Sequence, residues 1–178
     1  NILIYKIIAN NNLFFSIRID KFYDLIGAVM MKLYIKTFNE LTLEELYEIL
    51  RLRVEVFVVE QNCPYEEVDG LDKDAIHVYY KNNDELIAYL RVLDRGVESE
   101  DVAIGRVIAK NRRQGLGTLI LKEGIKAAKE IFEADAIYIE AQSYAKKFYE
   151  NLGFVQTSDE FLLDGIAHIK MRLIINQK

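Results

Sequence analysis

The chain is poor in the residues that build disulfides and metal sites. Its 178 residues include one cysteine, Cys63, and two histidines, His77 and His168. A single cysteine cannot form an internal disulfide, which favours a reducing compartment, and we therefore expect a cytoplasmic protein. A lone thiol is more often a packed residue than a nucleophile. The two histidines stand in no ligand spacing, so we expect no metal.

Long apolar runs and an excess of positive charge are missing as well. Charged residues interrupt the apolar runs before any reaches the roughly 18 residues needed to cross a membrane. The formal net charge is −5, whereas proteins that bind nucleic acid normally present a basic surface. We therefore expect neither a membrane nor a nucleic acid as a partner. A content of 51% hydrophobic and 29% charged residues is typical of an ordinary globular domain.

The functional domain is predicted to span residues 31–178. Met30 and Met31 stand immediately before the first well-patterned strand, which runs from residue 32 to 38. Residues 1–30 are apolar in part but irregular, and charged side chains interrupt them. We expect this segment to be an N-terminal extension of doubtful relevance to the function.

The clearest pattern in the chain is a strand, a glycine-rich turn and a helix, in that order. Residues 102–109 are β-branched and apolar, which predicts a strand. From Leu116 onward the apolar residues recur at helical spacing, and Lys and Glu occupy the other side. Such a unit brings the start of a helix, with its unpaired N–H groups and partial positive charge, next to the end of a strand.

The turn itself has the composition of an anion site. Gly115 and Gly117 let the backbone bend and approach a ligand closely. Arg112 and Arg113 would add positive charge, so the turn predicts a phosphate site. It is not a Walker loop, because Thr118 follows Gly117 where that loop has lysine. The alternative interpretation is a plain connection that needs glycine only to turn.

The rest of the chain predicts a mixed α/β fold. Thr42 and Glu45 have the spacing of a capping box at a helix start. Residues 56–61 fit a helix or a strand equally well. Ser143 is predicted to cap a short helix that carries Tyr149. Further strands are predicted at 75–80, 86–93, 136–141, 154–157, 161–163 and 167–175.

Residues 66–74 are dense in carboxylates, with five Asp or Glu side chains. One interpretation is a solvated acidic loop. The other is the rim of a pocket for a cationic acceptor such as an amine, because negative charge would concentrate it there. Under the second interpretation the residues that bind the acceptor are Glu67 and Asp69, together with Glu60.

A second motif, Phe-Tyr-Glu-Asn-Leu-Gly-Phe at residues 148–154, bears on the interpretation of the glycine-rich turn. Alone, Tyr149 would be interpreted as a core residue. Together with Arg-x-x-Gly-x-Gly, formed by Arg112, Gly115 and Gly117, it resembles the two signatures of the GCN5-related N-acetyltransferases (the GNAT family). The resemblance is closest to the ElaA-type branch of that family, at residues 56–65, 69–70, 77, 105–107 and 164–171.

The resemblance implies an α/β (α+β) fold and a cosubstrate. The central sheet would be mixed and mostly antiparallel, with about six or seven strands, about four flanking helices and a splay between strands four and five. Acetyl-coenzyme A (acetyl-CoA) would lie in that splay. The residues at the positions that hold it are Arg106, Val107, Ile108, Arg112, Arg113, Gln114, Gly115, Leu116, Gly117 and Thr118.

The resemblance also implies a reaction, the transfer of an acetyl group to a primary amine of a small molecule or peptide. Tyr149 stands where the family protonates the departing CoA thiolate, and a strand-four amide near Ile108 would stabilise the oxyanion. The base that must deprotonate the amine stays open among Glu60, Glu140 and His77. Arg106 would alternatively be a buried partner of a carboxylate.

Two other functions on the same fold stay open. One is a non-catalytic acyl-CoA-binding or sensing protein, and the presence of Tyr149 favours the enzyme over it. The other is an enzyme similar to acyl-homoserine-lactone synthases, and the Arg-x-x-Gly-x-Gly loop favours CoA over a carrier protein. The sequence does not identify the amine, and it allows a monomer or a homodimer.

Overall fold

The protein folds around an open sheet of eight strands in a computed structural model that describes residues 31–110 and 114–175. The sheet order is β1-β2-β3-β4-β5-β8-β6, and β7 also pairs with β8. The strands are β1 (Met31–Thr37), β2 (Ala75–Asn82), β3 (Glu85–Leu93), β4 (Val102–Ala109), β5 (Ala136–Gln142), β6 (Val155–Gln156), β7 (Phe161–Leu163) and β8 (Ile166–Ile174). The predicted extension, and Arg112 and Arg113 of the predicted loop, lie outside the described residues.

The described residues contain three α-helices, α1 (Leu43–Arg53), α2 (Leu116–Phe132) and α3 (Lys146–Glu150). The predicted capping box opens α1: Glu45 N donates to Thr42 Oγ1 at 3.2 Å, and Thr42 N donates to the Glu45 carboxylate at 2.9 Å. A π-helical segment, Val54–Glu60, continues α1 directly. The prediction that Ser143 caps the short helix is wrong, because Ser143–Ala145 forms a 3₁₀ turn ahead of α3.

The sheet is antiparallel except where β4 meets β5. These two strands run parallel and pair only through Val102 with Ile137 and Ala103 with Tyr138. Beyond Ala103 they part, which confirms the predicted mixed sheet with a splay between its fourth and fifth strands. The strand count exceeds six or seven because β6 and β7, of two and three residues, also join the sheet.

The main core lies between the sheet and α2. The helix buries one apolar face, including Leu116, Ile120 and Leu121, against side chains of β2, β3 and β4. A smaller core lies under α1, where Tyr79 and Tyr89 of the sheet meet the helix. Packing on both faces fixes the start of α2 beside the end of β4, at the mouth of the splay.

Gly124 is a point of close approach between α2 and the sheet. A Cβ there would lie 2.7 and 2.9 Å from the methyl carbons of Leu90, which is completely buried. Alanine gains about 1 kcal/mol of helix propensity, but overpacking a core costs about 1–3 kcal/mol. We therefore expect Gly124→Ala to lower the free energy of unfolding by about 1 kcal/mol in urea titrations. The control is Lys126→Ala on the exposed face, and equal or higher stability of Gly124→Ala would contradict the prediction.

Candidate active site

A cavity of about 750 Å³ occupies the splay between β4 and β5. Residues 104–109 of β4 form one wall, and Ile139, Glu140 and Gln142 of β5 form the opposite wall. The π-helical segment and the β7–β8 hairpin also line it. Because β4 has no strand partner on this side beyond Ala103, its N–H and C=O groups there are left for water or a ligand.

Arg106 lies at a bulge in β4. Tyr89 pairs with Ile108 and Arg91 pairs with Gly105, so two residues of β4 lie opposite one residue of β3. Arg106 has φ = +56°, a left-handed conformation that is uncommon for residues other than glycine. Bulges of this kind interrupt pairing and redirect a side chain, and they are common next to active sites.

The bulge directs Arg106 into a cluster that we call the arginine–carboxylate network: Arg53, Arg91, Arg106, Glu67, Asp69 and Asp72. Arg53 Nε donates to Glu67 Oε1 at 2.5 Å, and Arg53 Nη1 donates to Asp72 Oδ1 at 2.5 Å. Arg106 Nε donates to the other oxygen of Glu67, Oε2, at 2.6 Å. The Tyr65 hydroxyl also donates to Oε2, at 2.5 Å. Three positive charges thus offset three negative charges beside the cavity.

Asp69 connects this network to the cavity, which it lines. Arg91 donates to both of its carboxylate oxygens, and Arg106 Nη2 donates to Oδ2 at 3.1 Å. Desolvation raises the pKa of Asp69, but the hydrogen bonds and charge of Arg91, with Leu71 N and Arg106, lower it to about 2. Asp69 is therefore ionised at neutral pH, a poor proton acceptor and already neutralised by two guanidinium groups.

The three carboxylates predicted to bind an acceptor are in different surroundings. Glu60 and Asp69 line the cavity. Glu67 is only 3% exposed and is held by Arg53 and Arg106. The structure therefore places Glu67 behind the cavity wall, where it orients Arg106 and makes no contact with the cavity.

His77, one of the predicted bases, lies in the core. It is completely buried, and its ring nitrogens are 2.9 Å from Tyr89 Oη and 3.0 Å from the Asp72 carbonyl. Desolvation lowers the pKa of His77, so the ring is neutral at physiological pH. Because His77 does not line the cavity and both nitrogens have partners, this geometry speaks against its role as the base.

Tyr149 is carried by α3 and lines the cavity. Its ring packs edge-on against Phe148 and Phe154, with centroid distances of 4.9 and 5.8 Å. Its hydroxyl makes no hydrogen bond to another described residue. Burial raises the pKa of Tyr149 above its ordinary value, so the phenol is protonated at neutral pH, as a proton donor must be.

The described part of the glycine-rich turn comprises Gln114 and Gly115, followed by Leu116, Gly117 and Thr118 in the first turn of α2. Gly115 is the N-cap residue and has φ = +81°, a conformation that favours glycine. The N–H groups of the first helical turn have no intrahelical partner. The cavity lining extends along β4 to Ala109 and Lys110 and includes none of residues 114–118.

Several residues of the cavity were not predicted as site residues from the sequence. Gln142 Nε2 donates to Gln61 Oε1 at 2.9 Å, which joins β5 to the end of the π-helical segment. Cys63 Sγ lies 3.4 Å from the Asp164 carbonyl oxygen of the β7–β8 turn. Glu98 reaches the cavity from the connection between β3 and β4. Gln61 and Cys63 lie in the stretch 56–65 that carries the family resemblance, but the resemblance gave them no role in the site. Glu98 and Gln142 belong to no recognisable motif, so no local signal pointed to them.

Comparison with known proteins now identifies the family. The family model described as an acetyltransferase (GNAT) domain matches residues 39–175. The chain belongs to the GNAT family. Protein ElaA of Escherichia coli strain K12, a relative of this GNAT chain, is 38% identical over 137 residues, which cover 75% of this chain and 90% of ElaA.

Solved structures agree with the assignment to GNAT proteins. The crystal structure of E. coli ElaA matches with a TM-score of 0.76 and 35% identity, over 81% of this chain and 99% of ElaA. The two likenesses place the chain in the ElaA-type branch. An acyl-CoA N-acyltransferase from Pseudomonas aeruginosa matches with a TM-score of 0.75 and 41% identity, over 80% of this chain and 99% of that one. This relative and the family model support an acyltransferase.

A more distant neighbour concerns the acyl-homoserine-lactone alternative. The AHL synthase LasI matches with a TM-score of 0.67 over 82% of this chain and 90% of LasI, at 15% identity. A likeness at this identity shows a common fold alone.

Residues 31–110 and 114–175 contain neither a membrane-spanning helix nor a cluster of metal-ligating side chains. No helix there is both long and apolar enough to cross a membrane. No three His, Cys, Asp or Glu side chains in the same ranges come together in a group that could hold a metal ion.

Proposed function

We propose that this GNAT protein is an acetyl-CoA-dependent N-acetyltransferase that acts on a primary amine of a small molecule or peptide. The observation that carries the proposal is the splay of β4 and β5, which forms a cavity lined by Tyr149. The unpaired edge of β4 offers hydrogen-bonding groups to the pantetheine arm. The start of α2 offers N–H groups to the pyrophosphate.

The cofactor site divides into two parts. Val107 and Ile108 line the cavity and would meet the pantetheine arm through their backbone. Arg106 also lines it, but its guanidinium pairs with Glu67 and Asp69, so its contribution to the cofactor is its backbone. The second part is the loop of residues 112–118, where Arg112 and Arg113 would add charge beside the pyrophosphate.

In the reaction, a backbone N–H near Ile108 would donate to the oxygen of the attacked thioester carbonyl as negative charge develops on it. Tyr149 would donate its phenolic proton to the departing sulfur. An unperturbed phenol has a pKa of about 10, near that of a thiol. Burial raises the pKa of Tyr149 above that value, which keeps the phenol protonated before the reaction but makes it a weaker acid toward the sulfur. The aromatic packing of Tyr149 holds the hydroxyl in place for this transfer.

Thermal unfolding of the full chain tests the cofactor site. A ligand that binds only the folded state at one hundred times its Kd stabilises the protein by about 2.7 kcal/mol. For a chain of this size that raises the melting temperature by about 5–10 °C. We expect this rise with acetyl-CoA, together with thiol release when amines are added. No rise at saturating ligand would contradict the proposal, and a rise without turnover would favour a non-catalytic binding protein.

The loop is tested by removing its positive charge. Charge-assisted hydrogen bonds contribute about 1.5–3 kcal/mol each, so the double variant Arg112→Gln and Arg113→Gln should bind acetyl-CoA at least about tenfold more weakly. Calorimetric titration measures this affinity. The control is Lys122→Gln on the exposed face of α2, which should bind like the wild type. Equal affinity of the double variant would show that the arginines do not contact the cofactor.

A further inference from the structure

The lining of the cavity comes from both faces of the sheet. Ile139 and Ala141 of β5 belong to the main core under α2. Because successive side chains of a strand point to opposite faces, Glu140 and Gln142 point to the other face, on which α1 packs. Tyr149 packs against the main core and therefore reaches the cavity from the face of α2.

His168 lines the same cavity from the opposite face. It lies on β8 directly opposite Gln142, and its neighbour Ile169 belongs to the main core, so its side chain points away from α2. Gln142 is the last residue of β5, and the 3₁₀ turn Ser143–Ala145 leads from it directly into α3, which carries Tyr149. His168 and Tyr149 therefore lie on opposite faces but at the same end of the splay, the end where β4 and β5 have parted.

The structure fixes the tautomer of the His168 ring. The residue is only 9% exposed, and its Nδ1 lies 2.8 Å from the carbonyl oxygen of Ile166. A carbonyl oxygen can only accept a hydrogen bond, so Nδ1 carries the proton and Nε2 of the neutral ring is an acceptor. Nε2 makes no hydrogen bond to any described residue. Phe161 of β7 packs beside the ring, with the ring centroids 6.2 Å apart.

The carboxylates of the lining are less suited to take a proton from an amine in the splay. Asp69 is neutralised by two arginines. Glu140 Oε1 accepts a hydrogen bond from Tyr138 Oη at 2.6 Å, and Lys170 Nζ lies 3.9 Å away. Imidazole is a stronger base than a solvated carboxylate. The remaining carboxylates of the lining are exposed and lie outside the strands: Glu55, Glu60, Glu66, Glu98 and Asp164.

We propose that His168 is the general base that takes a proton from the attacking amine, while Tyr149 acts as the acid from the other face of the sheet. This inference rests on the proposed function. The thioester carbon would lie in the splay between the two residues, so the nitrogen would approach from the face of α1 and the sulfur would leave toward Tyr149. A base acts within hydrogen-bond distance of the proton or through one water molecule.

The protons and electrons of this scheme balance. The ammonium ion of the acceptor gives one proton to solvent and binds as a neutral amine. Its nitrogen forms a bond to the thioester carbon, and Nε2 of His168 takes one proton from that nitrogen. The C–S bond breaks, its electron pair goes to the sulfur, and Tyr149 protonates the sulfur. The imidazolium then releases its proton to solvent and the phenolate regains one, so the products are an amide, a thiol and one proton.

The variant His168→Asn removes the base but keeps the hydrogen bond of Nδ1. The asparagine amide can still donate to the Ile166 carbonyl, whereas nothing replaces Nε2. The acceptors are 1,4-diaminobutane, benzylamine and a lysine peptide with blocked ends. We expect kcat to fall about 100-fold, with acetyl-CoA affinity and melting temperature unchanged. The matched control is Lys170→Gln, an exposed residue on the same face of β8, which should keep wild-type turnover.

The pH dependence distinguishes a base from a residue that only supports the site. The ratio of kcat/KM between the wild type and His168→Asn cancels the ionisation of the amine, which affects both proteins equally. A base acts in its unprotonated form, so this ratio should fall toward acid pH as the imidazole becomes protonated. The other ionisable groups on the elements around His168 are present in both proteins: Glu60, Cys63, Glu140, Tyr144, Asp164 and Lys170.

Nitrogen-15 NMR of the two histidines examines the site without turnover. We expect the His168 ring in its Nδ1–H form at neutral pH, and we expect its Nε2 signal to move when an acceptor amine is added to the complex with CoA. The signals of His77 should stay in place, because both of its nitrogens have partners in the core. His168→Asn assigns the spectrum by removing one of the two rings.

The outcomes separate this inference from the function on which it rests. If the wild type turns over an amine and His168→Asn is equally fast, or if the kcat/KM ratio is independent of pH, His168 is not the base and the proposed function stands. If the wild type turns over none of the three amines, the proposed function is wrong and the inference falls with it.

Discussion

Replacing Tyr149 with phenylalanine is expected to lower kcat by at least about 100-fold, because proton transfer by a positioned side chain typically contributes a factor of about 10²–10⁴. The ring of Tyr149 packs against Phe148 and Phe154, and phenylalanine preserves this packing. The lost group is a hydroxyl that makes no hydrogen bond to another described residue. The affinity for acetyl-CoA and the melting temperature should therefore stay close to those of the wild type.

Thiol release with acetyl-CoA and a turned-over amine measures this prediction. The matched control is Tyr47→Phe, which removes a hydroxyl from a tyrosine of α1 that is 66% exposed and should leave kcat unchanged. If Tyr149→Phe keeps full turnover, Tyr149 is a packing residue and another group protonates the sulfur. If Tyr149→Phe also loses affinity for acetyl-CoA, the hydroxyl contributes to ground-state binding.

The elements beside the cavity could be predicted because their signals are local. The strand Val102–Ala109 and the start of α2 at Leu116 lie at the predicted positions. Each was predictable because a β-branched run and a helical period can be recognised within a short stretch of consecutive residues. The splay between β4 and β5 is different. It depends on which strands pair over long separations, and only the family resemblance predicted it.

The surroundings of the acidic segment, residues 66–74, could not be predicted from the local sequence. Glu66 lines the cavity, whereas its neighbour Glu67 is buried against Arg53 and Arg106, 14 and 39 residues away in the chain. Nothing in the segment itself distinguishes the two glutamates, because the difference arises from arginines on a helix and on a strand. Glu98 also lines the cavity. It was not predicted to do so, because the residues around it in the sequence resemble a solvated turn.

A second large effect is expected in the core, where Arg53→Met should lower the free energy of unfolding by about 3–5 kcal/mol, the usual cost of breaking a buried ion pair. Arg53 is completely buried and donates to both Glu67 and Asp72. Its removal leaves both carboxylates without this donor. Asp72 Oδ2 already lacks a hydrogen-bond partner among the described residues, and Arg91 Nε, a buried donor of the same network, makes no hydrogen bond to it or to any other described residue.

Urea titration at neutral pH measures the loss, and Arg51→Met is the matched control. Arg51 lies on the same helix but is exposed, so its replacement should change the free energy of unfolding by less than about 0.5 kcal/mol. A loss below about 1 kcal/mol for Arg53→Met would mean that the carboxylates find other donors and that the network is not a rigid support.

A double variant separates the lost pair from the lost side-chain packing. Adding Glu67→Gln to Arg53→Met removes one of the carboxylates that the single change leaves without its guanidinium partner. If uncompensated charge is the main cost, the double variant should be more stable than Arg53→Met alone. If packing is the main cost, the second change should add to the loss. In the first case the position of Arg106 in the cavity wall also depends on charge balance, because Glu67 holds Arg106 at the bulge.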